Sequence, residues 1–506
     1  QGDGSLALML LNDGSGNFSS PAAFPAFPAS EHPAGASMAD VNGDGRLDIV
    51  VTLLTYVDAV DFSHVGRGTR LFLNQGGTPV TFVDATDSWN LLHPADAFSA
   101  SFADINRDGW LDMAVSHWDN AAHAGDQPYG HLWINGGGSG YTDISVSAGI
   151  QVKHDTGSGV PIDTTFTPTL ADMDGDGLPD LLYAADFCGT QAFRNNGDGT
   201  FTEWDSNQFD DENGMGSAVG DYDGDGDLDW FVSSIWNPVD DSTNRCTSGG
   251  TGIGQGHTGN RLYRNDGNGV FTDVSAAAGV RDGYWGWGSC FADFNNDGWL
   301  DVHVANRKWS YPENIFRNAL YLNNGDGTFR LLKSEEAGIF DNGLFAEAAD
   351  LDNDGLLDLV CARDPANNSP IITDAAARAE WKRQRSQRSL PPGLDHSLIL
   401  RNRGQFGGKE NHWLRLRFTG VPHGELAGAR VEVHAPDDSG IAQGKLLGSR
   451  IVFSSHHHKA GTPMEVHFGL ATRPAVDVTV TLLNGKTKTF TTLAADKEHQ
   501  LSFSTP

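Results

Sequence analysis

Basic charge is scarce in this chain. Its 506 residues carry 34 Lys and Arg against 66 Asp and Glu, a formal net charge of −32. Nucleic acid and anionic membranes are poor partners for such a surface, because counterion release needs a basic footprint. Bound divalent cations, or a salty medium, suit it. Long apolar runs are missing as well: no stretch of 18 apolar residues occurs, so no segment reads as a transmembrane helix. Cysteine is sparse, with four residues (Cys188, Cys246, Cys290, Cys361) and no CxxC pair. That usage excludes both a disulfide-dense mini-protein and a zinc module. Nucleophile elbow, P-loop, HExxH and dinucleotide fingerprint are all absent, which weighs against a common enzyme class. Helical patterning is rare; its best stretch is 374–387, which ends before Pro391 and Pro392.

What abounds is glycine, at 62 residues, in company with Asn and Asp, which signals many tight turns. The length allows one large repeat array and a second domain, and 39% hydrophobic residues suffice for a core. Gln1 opens inside a repeat-like segment, as it would in a processed mature protein or a trimmed one.

Six segments share one pattern, with oxygen-bearing side chains at positions 1, 3, 5 and 9 and glycine at 6. Loop 1 offers Asp40, Asn42, Asp44 and Asp48 with the Arg46 carbonyl; loop 2 offers Asp104, Asn106, Asp108 and Asp112 with that of Trp110. Loop 3 offers Asp172, Asp174, Asp176 and Asp180 with Leu178; loop 4 offers Asp221, Asp223, Asp225 and Asp229 with Asp227. Loop 5 offers Asp293, Asn295, Asp297 and Asp301 with Trp299; loop 6 offers Asp350, Asp352, Asp354 and Asp358 with Leu356. A loop winding round a hard cation turns alternate side chains inward, and the glycine permits the sharp bend. This is the ligand logic of an EF-hand loop, with Asp at 9 closing the site. All-oxygen donors favour Ca²⁺ over Zn²⁺ or copper, so about six structural calcium ions are expected. Carboxylates crowded this closely repel one another without a cation between them.

Short apolar runs flank each loop, as at 100–103 and 289–292 before it and 49–52 and 359–361 after it. Hairpin signals follow, in which Asn-Gly or Asp-Gly supplies positive φ, as at 192–201, 262–271 and 320–329. The unit is strand, metal loop, strand, variable loop, strand, turn, strand: one blade of a propeller. Residues 6–18 repeat the second hairpin, Gly2 to Gly4 read as a remnant loop, and 397–404 supply a third strand. An all-β chain is predicted: a seven-bladed β-propeller closed by exchange between the two chain ends, with six blades as the alternative, over residues 1–408. From 409 to 506 alternating runs at 413–418, 429–434, 450–453, 465–468, 476–482 and 487–491 predict a β-sandwich domain.

These loops and the Leu-Tyr-Arg-Asn-Asp-Gly hairpin at 262–267 resemble the FG-GAP and VCBS repeats of integrin-like propellers. The tail from Asn411 to Leu470 resembles the ASPIC/UnbV domain that follows such propellers in cartilage acidic protein-like chains. The resemblance implies calcium in the loops and a secreted, periplasmic or cell-surface location. It leaves activity open, since that family spans adhesion proteins and relatives of a sugar dehydratase. Ser454 to His458 departs from the usual family loop, so no role carries over there.

In a propeller the loops after second strands, and the connections between blades, lie opposite the metal loops. They carry His93, His117, Trp118, Asp119, His154, Asp163, Asp186, Trp236, Trp285, Trp287, Arg307, Trp309 and Arg363. Aromatic faces for stacking (Trp118, Trp236, Trp285, Trp287, Trp309, with Asp186 beside them) suit a glycan or protein ligand. Candidate catalytic groups are His93, His117, Asp119 and His154 as acids or bases, with Arg307 and Arg363 holding an anion. A secreted binding propeller is the first functional expectation. A carbon–oxygen lyase or dehydratase on a sugar-like substrate is the alternative, and a structural matrix protein a third. Cys188 and Cys246 fall on neighbouring loops, where a disulfide or two buried thiols would both fit. The long insertion at 233–260 is a candidate lid, and His456 to His458 a transition-metal candidate or a solvated loop.

Overall fold

The computed structural model describes residues 9–503, apart from 20–23, 58–63, 92–95, 119–129, 156–160, 237–245, 247–257, 308–317, 363–396, 437–443, 455–463 and shorter gaps. His93, Asp119, Trp309, Arg363, the 374–387 helix and the His456 to His458 run lie outside the described residues.

Each Asp-rich loop joins the first two strands of a meander. The alternation that follows each loop is bounded by Asn-Gly and Asp-Gly turns, so every strand pairs with its sequence neighbour. In sheet 3, for example, Thr165–Ala171, Asp180–Ala185, Gln191–Asn195 and Phe201–Glu203 run in that order, antiparallel throughout. Four-stranded sheets of this order also carry loops 2, 4 and 5, and loop 1 lies in a similar sheet with one extra short strand. Loop 6 joins Phe345–Ala349 to Asp358–Ala362, which pairs with Ser397–Leu400. Leu11–Asn12 and Phe18–Ser19 form a separate hairpin. The chain is a β-propeller.

The first strand of sheets 2, 3 and 4 is buried along its whole length (Ala100–Ala103, Thr165–Ala171, Ser217–Gly220). Small side chains there let the inner strands approach the axis closely. Between successive sheets lie apolar layers, such as Leu170, Leu181, Tyr183 and Phe193 of sheet 3 against Ile105, Leu132 and Ile150 of sheet 2. Burial of these layers, at roughly 25 cal/mol per Å² of apolar surface, is what holds blade to blade.

The tail forms a β-sandwich. His412–Thr419, Glu465–Ala471 and Lys497–Ser502 make one sheet, in which the first and last strands run parallel. Arg430–His434, Leu446–Ile451, Ala475–Thr481 and Thr487–Ala494 make the other. Leu414, Leu416, Val431, Val433, Phe468 and Val478 fill the space between them.

Candidate metal centres and ligand face

Every loop is wound by its own side chains. In loop 1 the Asp44 N–H donates to Asp40 Oδ1 and Asn42 Oδ1, both at 3.0 Å, and Gly45 N–H donates to Asp40 Oδ2 at 2.9 Å. Arg46 N–H donates to Asp44 Oδ1 at 2.9 Å. The same contacts recur in loop 2 and loop 5. Two turns in each loop adopt the left-handed region, at position 6 (always Gly) and at position 4. Position 4 is Gly43, Arg107, Gly175, Gly224, Asn296 and Asn353, with φ between 58° and 77°. The bends gather the oxygens of positions 1, 3 and 5 on one side.

Three loops bring three carboxylates each within 4.8 Å of one another: Asp172, Asp174 and Asp180; Asp221, Asp223 and Asp225; Asp350, Asp352 and Asp354. Asp221 Oδ2, Asp352 Oδ1 and Asp358 Oδ2 are buried and accept no hydrogen bond among the described residues. Burial and then neighbouring carboxylates push several acids up: Asp221 to about 6, and Asp112 and Asp180 to about 8. Asp40 departs from this trend, because His423 and the Gly45 N–H outweigh its burial and lower it. Crowded hard oxygens with unspent lone pairs suit a hard dication such as Ca²⁺, and its charge offsets the repulsion.

Position 9 has a second occupation. Asp180 accepts from Met173 N–H at 2.9 Å and from Asn195 N–H at 2.9 Å. Asp48, Asp112, Asp229 and Asp301 repeat this with Val41 and Asn74, Ile105 and Asn135, Tyr222 and Asn265, and Phe294 and Asn323. A carboxylate has about four acceptor sites, so two remain for an ion. The hairpin Asn then reaches the preceding loop. Asn195 Nδ2 donates to Ile105 O at 2.9 Å, Asn265 to Met173 O at 2.7 Å and Asn323 to Tyr222 O at 2.8 Å. Loop, hairpin and previous loop are therefore one continuous hydrogen-bonded circuit.

At the opposite end, four of the sequence-predicted residues meet. Trp118 stacks on Phe166 with ring centroids 5.8 Å apart, and Phe166 lies 5.7 Å from Trp287. Trp285 is 6.0 Å from Trp287, and the Arg307 guanidinium lies 5.3 Å and 5.4 Å from these two rings. Phe98 and Met215, just before inner strands, and Ile235, bridged to Trp285 beyond a second strand, belong to the same cluster. Trp236 sits one step outward, its ring 6.2 Å from Tyr284. His117 is buried, with Nδ1 at 2.7 Å from Asp96 O and Nε2 at 3.2 Å from Gly130 O. His154 falls on the short strand His154–Asp155. Asp163 pairs with His131 Nε2 at 3.0 Å, both buried.

Asp186 closes its strand beside Trp118, and burial pushes it up to about 7 against the Phe187 N–H and the Trp118 indole. Asp211, which sequence reasoning passed over, is buried next to it and also rises to about 7. Its neighbours Asp210 and Glu212 anchor the insertion: Arg261 Nε donates to Asp210 at 2.8 Å, and Thr258 N–H to Glu212 at 3.0 Å. The run of four acidic and amide residues at 210–213 was the available signal. Cys188 and Cys246 are disulfide-bonded, tying the insertion to this corner. Most of the insertion lies outside the described residues.

A sequence model of the FG-GAP-like repeat matches residues 1–51, 172–232, 251–304 and 309–361. This chain carries FG-GAP-like repeats. Cartilage acidic protein 1 of Xenopus tropicalis is homologous at 35% identity over 115 residues, 22% of this chain and 17% of that protein. Integrin alpha-IIb of Mus musculus is homologous at 31% identity over 157 residues, 29% of this chain and 14% of that protein. The FG-GAP repeat chain thus spans less than a fifth of the length of these curated relatives. Among solved structures, an exotype rhamnogalacturonan lyase aligns over 94% of this chain and 74% of its own, at 16% identity and a TM-score of 0.36. That superposition is too loose to bear on activity.

Proposed function

We propose that this FG-GAP propeller is a secreted, calcium-stabilised binding protein that takes a glycan or protein ligand on the face opposite its metal loops. One observation carries the reading: Trp118 of one blade and Trp285, Trp287 and Arg307 of another converge, across Phe166, on one half-buried aromatic surface. Aromatic faces stack on the apolar faces of sugar rings, and on aromatic or cationic side chains of proteins. The metal-loop end is covered by the tail, which leaves the aromatic end for a partner. Secretion is supported by the Cys188–Cys246 disulfide, a bond that persists in oxidising compartments. The net charge of −32 disfavours nucleic acid. Among the described residues no helix is long and apolar enough to cross a membrane.

The ring is read as seven blades, with the propeller over 1–408 and the sandwich over 409–506. Asn12 of the N-terminal hairpin supports that count, because its Nδ2 donates to Leu351 O of loop 6 at 2.7 Å. It occupies the place that Asn195 takes toward loop 2, so the hairpin belongs to a blade between loop 6 and loop 1. Calcium ligands are proposed at positions 1, 3, 5 and 9 of all six loops, with the carbonyl of position 7.

The test is a glycan and matrix-protein array probed with the calcium-loaded chain, then with Trp287→Ala. Binding that weakens about three- to tenfold on loss of one ring supports the reading. Binding indifferent to Trp118, Trp285 and Trp287 together would sink it. A lyase or dehydratase acting on a sugar-like substrate is the second reading, favoured by Asp186, beside Trp118, and its buried neighbour Asp211, both pushed up to about 7. Incubation of oligosaccharides with the protein, read by the absorbance of an unsaturated product, separates the two.

A further inference from the structure

The tail does more than follow the propeller: its polar groups reach the first ligand position of three loops. Arg415 Nη1 lies 3.2 Å from Asp350 Oδ2, Gly469 N–H donates to Asp293 Oδ2 at 3.1 Å, and His423 Nδ1 lies 3.1 Å from Asp40 Oδ2. In each case the same oxygen also accepts the N–H of the glycine at position 6: Gly355 at 3.0 Å, Gly298 at 2.8 Å and Gly45 at 2.9 Å. The tail therefore shares the oxygen that fixes the bend of the loop. The other oxygen, Oδ1, is left toward the ligand cavity, where it meets the N–H of position 5.

Loops 5 and 6 are held further. Asn411 Nδ2 donates to Asn295 O at 2.9 Å, and Ala471 N–H to Asn296 O at 2.9 Å. Arg415 Nη2 donates to Asn353 Oδ1 at 2.5 Å, and Nη2 with Nε also pairs with Glu498. Arg415 is 5% exposed, so these bonds form away from competing water, where each is stronger. No tail nitrogen hydrogen-bonds the first position of loops 2, 3 or 4 among the described residues; Arg430 reaches Gly226 O of loop 4, and the Arg450 guanidinium acts by charge on Asp221 of the same loop.

We infer that calcium occupancy of loops 1, 5 and 6 and docking of the C-terminal sandwich are one linked equilibrium, with Arg415, His423 and the Gly469 amide as positioning groups. The inference rests on the calcium reading above. An ion holds the carboxylates of a loop together, and so presents position 1 to the tail in a fixed place. Without it those carboxylates repel and the loop opens, and the tail loses its anchors. Linkage makes the effect mutual: a tail that grips position 1 tightens the ion at that loop by the factor with which the ion tightens the tail. Loops 2 and 3 bind outside this coupling.

The experiment uses the full chain. Calcium titration by calorimetry is run on the wild type, on Arg415→Lys, which keeps the charge but cannot span Asp350, Asn353 and Glu498, and on His423→Gln. Arg417→Gln, an exposed neighbour on the same strand, is the control. Each of the first two variants is expected to weaken one class of sites about fivefold or more, with the remaining sites and the control unchanged. Hydrogen exchange is then followed during stepwise chelation. Strands 412–419 and 465–471 are expected to lose protection together with loops 1, 5 and 6, before strands 112–115 and 180–185 lose theirs. If those loops open while the tail stays protected, or if Arg415→Lys and His423→Gln bind calcium as the wild type does, the coupling is refuted and the calcium reading stands. If the wild type takes up no calcium, the calcium reading itself falls, and this inference with it.

Discussion

Asn195 shows how much one side chain carries in this molecule. Its amide donates to Ile105 O and Pro179 O, its carbonyl accepts from Gly197 N–H, and its own N–H meets Asp180. The two bonds that Asn195 Nδ2 donates are buried, so Asn195→Ala leaves two carbonyls without partners and should cost about 2–3 kcal/mol of stability in calcium-loaded protein, measured by urea unfolding. Asn207→Ala, at an exposed turn, should change stability by less than about 0.5 kcal/mol. Asp211 makes a different prediction. Its folded pKa of about 7 lies above that of an unfolded carboxylate, so its protonated form is preferred in the fold. The stability it allows is fully present below the unfolded value near 4 and is lost as pH rises through about 7. Asp211→Asn, which cannot ionise, should therefore gain on the wild type between about pH 4 and 7, by at most about 1.4 kcal/mol per pH unit. Parallel thermal or urea midpoints across that window check it, and a constant difference would contradict it.

At the scale of elements, the repeat spacing made the strands legible: carboxylates at alternate positions and Asn-Gly turns between apolar runs name both ends of each blade. Three devices escaped that reading. Position 4 of each loop needs a left-handed residue, and its occupants Gly, Arg and Asn share no obvious chemistry. The hairpin Asn looks like a turn former, while its longer reach, to a carbonyl about 90 residues earlier, exists only in three dimensions. Asp143 and Ser145 form a third device, in which Asp143 Oδ1 holds the hydroxyl at 2.6 Å and Ser145 Oγ receives Leu132 N–H at 3.0 Å. Asp84 with Thr86, and Asp273 with Ser275, repeat it. An Asp-x-Ser/Thr after the fourth strand was visible as letters, but its partner on the third strand was not. The strand Lys497–Ser502 was missed as well, since its parallel pairing with His412–Thr419 spans the whole tail. The disulfide belongs to this scale too. It closes a segment of 58 residues, so Cys246→Ser should destabilise the chain by up to about 4 kcal/mol, the loop entropy the bond removes from the unfolded state. Chemical unfolding of both forms with calcium present checks it; equal midpoints would mean the insertion is held by Glu212 and Arg261 alone.

For the whole molecule, the sequence reached the propeller and the sandwich separately, and left open how they meet. Composition and period describe one strand or loop at a time; the contact between Arg415 and Asp350 joins residues whose pairing no local pattern encodes. That contact decides which end of the ring is covered. The aromatic surface at the other end was half-legible: Trp118, Trp285 and Trp287 were named from loop positions, but Phe166 sits inside a strand, Phe98 and Met215 just before one, and all three read as core. Charge at this scale also argues for the ions, since 22 of the 66 acidic residues are crowded into six short loops, which opposes folding unless cations offset it. Chelation should therefore lower the thermal midpoint of the chain by tens of degrees, more steeply at low ionic strength than at high.

Metal content tests the central claim most directly. After equilibration in calcium and removal of free ion, elemental analysis of the chain should return close to one calcium per loop, six in all, with no zinc or copper in its place. A chain that is folded, monodisperse and free of calcium would contradict the account.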